Sequence, residues 1–405
     1  MKKTWCAVIS ILLVTLFTWS PVSAKTELTY ISPLGGPRRA TFQELLNRFE
    51  VENPDYTVNW IVPGRGLIGT IELSLSMIAA GTPPDVVRFQ EPWAISSFAA
   101  QGLLEDLGPY VGAENYDLED FIPSVLEMAR FQGMLYGIPQ SSVTQIMLYN
   151  KNHLDSAGIT EPAVTQEDLL VLARRLSSVS EIPVSVENPW DMRRFGMFAF
   201  PNGASFFSDE ALTQPAFNSE PMLASLNFLM DGRSRELFTH EGTFTDGNVG
   251  AITAHPIIIN QLEAAGSPFE VVPSLTPAGS AGHANPSNGH YLSMTKATAH
   301  KEGAWKLIKF LASPEVSDVW HRELNFMPQR ISILRERDYY RLHPVWSTFF
   351  EQLLHNRPMP ILPEWGEMEG VFAKYVRPAW NGEISPEEAL NQVQEQVSAL
   401  INSRE

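Results

Sequence analysis

The sequence predicts an α/β protein whose N-terminal third forms a parallel sheet covered by helices. Two observations carry this. Short strand-like runs take turns with apolar residues at helical spacing, in the order β-α-β-α-β-α. A long extended run, Tyr136 to Asn150, then shows no helical period and leads into a second mixed region. Leu28-Thr29-Tyr30-Ile31 reads as the first strand, and Pro33 to Pro37 as a Gly/Pro loop. Phe42, Leu45, Leu46 and Phe49 recur at i, i+3, i+4 and i+7, the stripe of an amphipathic helix that Asn53-Pro54 stops. Tyr56 to Val62 alternates as a strand, with Tyr56, Val58, Trp60 and Val62 on one face. Ile68, Ile71, Leu75 and Ile78 mark the next helix, closed by Gly81. Asp85-Val86-Val87 reads as a buried strand, followed by a helix to about Gln101 that Gly102 caps.

Beyond the extended run, Lys151 to Arg175 is helical on either side of a loop at Gly158 to Pro162. Thr165 and Asp168 stand at capping-box spacing. The stretch from Ile182 to Asp246 reads as irregular and rich in aromatics. Ala304, Leu307, Ile308 and Leu311 share a helical face, and Ser313-Pro314 ends that run. Ser385-Pro386-Glu387-Glu388 combines an N-cap, a proline at the first helical position and a glutamate at the third. Leu390, Val393, Val397 and Leu400 follow as the apolar stripe.

Composition narrows the function classes. The 405 residues are 44% apolar and 19% charged, enough for a sizeable core and two to three domains. Lys and Arg number 29 against 46 Asp and Glu, a net charge of −17 that argues against nucleic acid and anionic lipid as partners. Lys2 and Lys3, the apolar run Val8 to Phe17 and Val22-Ser23-Ala24 read as a cleavable export signal over residues 1–24. Cys6, the sole cysteine, precedes the apolar run instead of ending it, so a lipid anchor is not expected. The mature chain then has no thiol, and the bacterial periplasm suits it. No HExxH, P-loop, GxSxG or helix-opening GxGxxG occurs, and no cofactor or metal is expected. His283 and His290 match no ligand spacing, and Gly64-Arg65-Gly66 makes a weak phosphate cradle. An acid/base pair among the many carboxylates stays open.

In order along the chain, Ala80-Gly81-Thr82-Pro83-Pro84-Asp85-Val86-Val87, Tyr136-Gly137-Ile138-Pro139 and Leu148-Tyr149-Asn150-Lys151, with segments near the C-terminus, together resemble the family 1 extracellular solute-binding proteins, the group of the sugar-binding receptors of ABC importers, maltose-binding protein among them. Ala80-Gly81-Thr82-Pro83-Pro84-Asp85-Val86-Val87 is similar to the family's G-x-x-PDV loop and strand. Tyr136-Gly137-Ile138-Pro139 and Leu148-Tyr149-Asn150-Lys151 resemble its YGIP…YYNK crossing. Ser287-Asn288-Gly289, Gly303 to Leu311 and Met327-Pro328-Gln329-Arg330 resemble its C-terminal motifs. The chain departs from the pattern at Val164-Thr165-Gln166-Glu167, where relatives often carry a tryptophan.

The resemblance implies a two-lobed periplasmic-binding-protein fold (type II), each lobe a sheet flanked by helices and joined by extended hinge segments. The crossings are expected near Gln140 to Thr144, Val271 to Pro277 and Phe326 to Ser332. The N-terminal lobe then comprises 25–140 and 276–328, the C-terminal lobe 141–275 and 329–405. A monomer would capture a carbohydrate between the lobes and deliver it to permease subunits in the inner membrane, without catalysis. An anionic solute is the alternative ligand, suggested by Arg38, Arg39, Arg65 and Arg88. A sensory receptor and a secreted carbohydrate-active enzyme are the alternative classes.

Candidate ligand contacts are residues just after strands or on crossings, chosen because a sugar offers flat C–H faces to aromatics and a rim of hydroxyls to polar groups. Gln90, Glu91 and Trp93 follow the third strand, although Glu91-Pro92 can also simply start a helix with Trp93 in the core. Gly36 and Arg38 lie between the first strand and helix, where N–H groups bind oxygens or anions; a solvated Arg38 is the plainer reading. Ser142 and Gln145 sit on the first crossing, and Trp190 and Asp191 in the polar middle region. His255 follows a strand, Gly289 and His290 follow the return to the first lobe, and Trp365 is the second-lobe candidate for stacking. Trp60, Trp305 and Trp320 are expected in the core.

Overall fold

The computed structural model describes residues 24–266, 268–336 and 342–403. The predicted export signal, with Cys6, falls on residues 1–23 and so lies outside the described residues, apart from Ala24.

Fourteen strands are described: β1 (Thr26–Ile31), β2 (Tyr56–Ile61), β3 (Val86–Phe89), β4 (Arg130–Phe131), β5 (Met134–Leu135), β6 (Ile138–Val143), β7 (Ile146–Asn150), β8 (Ile182–Ser185), β9 (Phe238–Thr239), β10 (Val249–Ala254), β11 (Val271–Ser274), β12 (Asn285–Pro286), β13 (Asn288–Met294) and β14 (Asn356–Arg357). Ten of them build two five-stranded sheets, in the orders β2-β1-β3-β13-β6 and β11-β7-β10-β8-β9. The first sheet is parallel through β2, β1 and β3, as the alternation of elements predicts, but β13 joins antiparallel to both β3 and β6. The second sheet is also mixed, because β7 runs antiparallel to β10 and β11. Each sheet carries helices on its faces and encloses its own part of the core. This is the two-lobed periplasmic-binding-protein architecture.

Local sequence explains most of the first lobe. Phe42, Leu45, Leu46 and Phe49 of the Arg39–Glu52 helix are all buried against it. Buried Asp85 ties three segments together: it accepts from the Thr29 N–H at 2.7 Å, from the Thr298 hydroxyl and from His300 at 3.2 Å. Trp60, Trp305 and Trp320 lie in the core. The Gly66–Ala79 helix differs from the reading of its stripe. It buries Gly69, Thr70 and Ser74 and leaves Ile68 53% exposed. A Cβ on Gly69 would lie 1.6 Å from the Gly64 carbonyl oxygen, so backbone approach, not apolar bulk, sets this face.

The middle region is more regular than its sequence suggests. It contains β8, the Met192–Ala199 helix and a fifteen-residue helix, Glu220–Ser234. That helix buries Ser225 and Gly232 among Met222, Leu226 and Leu229, so small residues interrupt its apolar stripe. Gly232 is required there, because a Cβ would stand 2.1 Å from the Phe238 ring. The capping box at Thr165 and Asp168 forms with both hydrogen bonds, and Ser385 caps the last helix.

The chain crosses between sheets later than the sequence places it each time. β6 stays in the first sheet through Val143, so the first passage is Thr144–Gln145. Val271–Ser274 is not a crossing but the edge strand of the second sheet; the return runs through β12 to β13. Phe326 to Ser332 still packs on the first lobe, where Met327 pairs with Ser142 and the Arg330 guanidinium binds Asp120 and Tyr116. The Pro344–Leu354 helix then packs on β7 and β11 of the second. Backbone pairing decides these points, and local composition does not report it. Among the described residues no helix is long and apolar enough to cross a membrane.

Candidate functional site

The carboxyl ends of β3, β8 and β10 face one cleft between the lobes, where α/β sheets commonly present ligand groups. Gln90 and Glu91 follow β3, Glu187 follows β8, and His255 follows β10. Val143 ends β6, while Asn288 and His290 open the antiparallel β13. Together they line a cavity of about 610 Å³ with Arg193, Arg194 and Thr253.

The charged groups are held in a fixed pattern. Asp191 caps the Met192–Ala199 helix by accepting from the Arg194 N–H at 3.0 Å. Arg194 pairs with the same Asp191 at 2.9 Å and with Glu187 at 2.8 Å, and Gln145 donates to the other Glu187 oxygen at 3.4 Å. Arg193, one residue earlier, reaches across to the first lobe and meets Glu91 at 2.7 Å; Asn288 donates to the second Glu91 oxygen at 3.1 Å. Two arginines in the first turn oppose the helix macrodipole, and carboxylates around them offset that cost.

His255 and His290, two of the imidazoles that line the cavity, are neutral at pH 7. Burial, then the positive charges of Arg193, Arg194 and Arg38, lowers the His255 pKa to about 3. Its Nδ1 accepts from the Ile257 N–H at 3.3 Å, which leaves the proton on Nε2. Burial first, then Arg88, holds His290 well below its ordinary range, and its Nδ1 shares a hydrogen bond with the Ser141 hydroxyl at 2.6 Å. Beyond Arg193 the cleft narrows to a neck with room for about one water, near 20 Å³, between Trp93, Trp365 and Glu369. Burial, then the Asp191 and Glu91 charges, raises the Glu369 pKa to about 7.

The structure thus gathers Gln90, Glu91, His255 and His290 on the cavity, and Trp93 and Trp365 at the neck. Trp365 is mostly buried, edge-on to Phe206 at 5.6 Å, so little of its ring faces the cleft. Other expected contacts are elsewhere. The Ser142 hydroxyl donates to the Pro328 carbonyl at 2.6 Å and braces the chain. Gln145 and Asp191 touch Glu187 and Arg194 instead of lining the cavity. Trp190 packs inside the second lobe against His240 and Trp380, under Arg377. Gly36 is exposed at φ +65°, with open space around it. Gly289 permits close packing, since a Cβ would stand 2.8 Å from Val125. Arg38 lies beside the cleft on the Phe326 ring. Glu187, Arg193, Arg194, Thr253 and Glu369 were not expected; the signal for the arginines was a basic pair one residue beyond the N-cap Asp191, in a first helical turn where cations are disfavoured.

Two α/β lobes with a polar cleft between their strand ends have the form of a small-molecule binding protein. The chain belongs to the bacterial extracellular solute-binding protein family, whose model matches residues 35–318. It is 25% identical over 387 residues to a binding protein of Brucella abortus, covering 89% of each chain. It is 24% identical over 334 residues to the maltotriose-binding protein of Pyrococcus abyssi, covering 79% of this chain and 71% of that one. Its fold matches that of the sugar-binding protein MalE of Xanthomonas citri with a TM-score of 0.83 at 21% identity, over 94% and 98% of the two chains.

Proposed function

We propose that this protein captures a carbohydrate or sugar derivative in the inter-lobe cavity and hands it to the permease of an ABC importer, from the periplasm and as a monomer. The observation that carries the reading is the ring of hydrogen-bonding groups that both lobes direct into one 610 Å³ cavity. Gln90, Asn288 and Thr253 offer neutral partners to hydroxyls, and the Glu91 and Glu187 carboxylates offer stronger acceptors. The neck beside half-buried Trp93 has room for about one water, so a sugar ring stacked on Trp93 would need the lobes further apart. The named relatives that bind maltotriose and sugar support the class of ligand. The Arg193–Glu91 ion pair bridges the lobes beside the cavity, and a form with the lobes joined in this way is what the permease would recognise.

Thermal-shift titration of the protein with mono- and oligosaccharides tests this, with mass spectrometry of the recovered ligand. A ligand at 100 times its Kd stabilises by about 2.7 kcal/mol and returns unaltered. Conversion of the sugar would favour a secreted enzyme, and no stabilisation by any sugar would reject the carbohydrate reading.

A further inference from the structure

The ion pairs of the cleft do not use all of its positive charge. In the second lobe Arg193 and Arg194 are matched to Glu91, Glu187 and Asp191. In the first lobe, two guanidinium groups sit on one aromatic ring without a counter-ion. The Arg38 Cζ lies 4.6 Å and the Arg88 Cζ 5.6 Å from the centroid of Phe326. His290, which lines the cavity, meets the same ring edge-on at 5.4 Å.

Arg88 is fully buried. Its Nε donates to Gln140 at 2.5 Å, but Nη1 and Nη2 have no hydrogen-bond partner. The Tyr30 hydroxyl beside it is buried too, close to Ser32 and Gln140 but without a well-aligned hydrogen bond. Burial lowers the Arg88 pKa to about 10, so it remains cationic at pH 7. Arg38 is half-buried and, among the described residues, has no ion pair or hydrogen bond. No carboxylate acts on either group; the one charged neighbour of Arg88 is Arg38, since burial pushes the Tyr30 phenol up to about 12 and keeps it neutral. Two like charges held together away from water are unfavourable until an opposite charge joins them. Neither arginine lines the cavity itself, but Arg38 lies close enough to act on both His255 and His290, which do.

We infer that the ligand carries an anionic group, a carboxylate or a phosphate ester, which enters the cavity beside His290 and is held by Arg38, with the Arg88 Nη groups, which have no partner of their own, beneath. This rests on the solute-receptor reading and names the ligand class for that same cleft. Arg38 makes the direct charge-assisted hydrogen bond, and Arg88 is a positioning charge behind the Phe326 ring, while His290, kept neutral chiefly by burial, adds at most a neutral hydrogen bond.

Calorimetric titration of the full chain compares anionic probes with uncharged counterparts: digalacturonate with its dimethyl ester, glucose 6-phosphate with glucose, and neutral maltotriose beside them. One charged probe should bind at least about tenfold more tightly than its uncharged partner, and weaken as salt is added. The arm that responds distinguishes a carboxylate from a phosphate ester. Arg38→Gln should abolish the difference, while Arg39→Gln on the exposed side keeps it. If maltotriose binds and no charged probe outperforms its partner, the inference is overturned and the receptor reading stands. Should none of the probes, charged or neutral, bind, both fall.

Discussion

Replacing Glu369 by glutamine should stabilise the protein above pH 7 and change little near pH 4. Glu369 stands at the neck with Asp191, Glu91 and Arg193 around it. Burial chiefly, then repulsion from Asp191 and Glu91, raises its pKa from 4.5 to about 7. The folded protein therefore binds more protons than the unfolded chain between those values. Stability falls as pH rises through that window and levels off above it. At about 1.4 kcal/mol for each pKa unit, the loss amounts to roughly 3 kcal/mol at full development, and partial exposure of the side chain trims it. Glutamine keeps the shape and stays neutral, so the variant escapes the loss. Urea denaturation of both proteins at pH 4, 6 and 8 measures it. The gap between them should open from near zero to about 2–3 kcal/mol. A gap that is the same at all three pH values would refute the argument, because it would show that packing and not ionisation separates the two.

Three further outcomes follow from the same contacts. Asp191→Ala removes an N-cap and one partner of Arg194, and should cost about 1–2 kcal/mol in chemical denaturation. Gly232→Ala sets a Cβ into the Phe238 ring and should lower stability by about 1–3 kcal/mol, read as a lower Tm. The neutral His255, with its pKa near 3, makes stability fall as pH drops below 6.5. His255→Asn should flatten that slope by one proton, measured by melts between pH 6.5 and 4.

What lay in the sequence was whatever depends on near neighbours. The Thr165–Asp168 capping box and the Ser385 cap are three-residue hydrogen-bond relations, and both formed. The stripe from Phe42 to Phe49 needs only helical period, and it packs as read. The order of motifs from Gly81 to Arg330 pointed to the family, and through it to the two lobes. The Glu220–Ser234 helix was illegible because its buried face is thinned by Ser225 and Gly232, which only the arrival of Phe238 explains. The crossings were misplaced because strand membership depends on pairing across many residues, as β11 against β7 shows.

The site divides along the same line. Glu91 and His255 were found because each follows a strand, a local fact. Arg193 meets Glu91 across 102 positions of chain, and Arg38 shares the Phe326 ring with Arg88. No period or cap encodes such meetings. By itself the sequence determined the α/β alternation, the caps and the acidic balance, since these follow from propensity and charge. Which charges find partners, and which two arginines do not, was decided by tertiary structure, because an ion pair is a matter of distance in space.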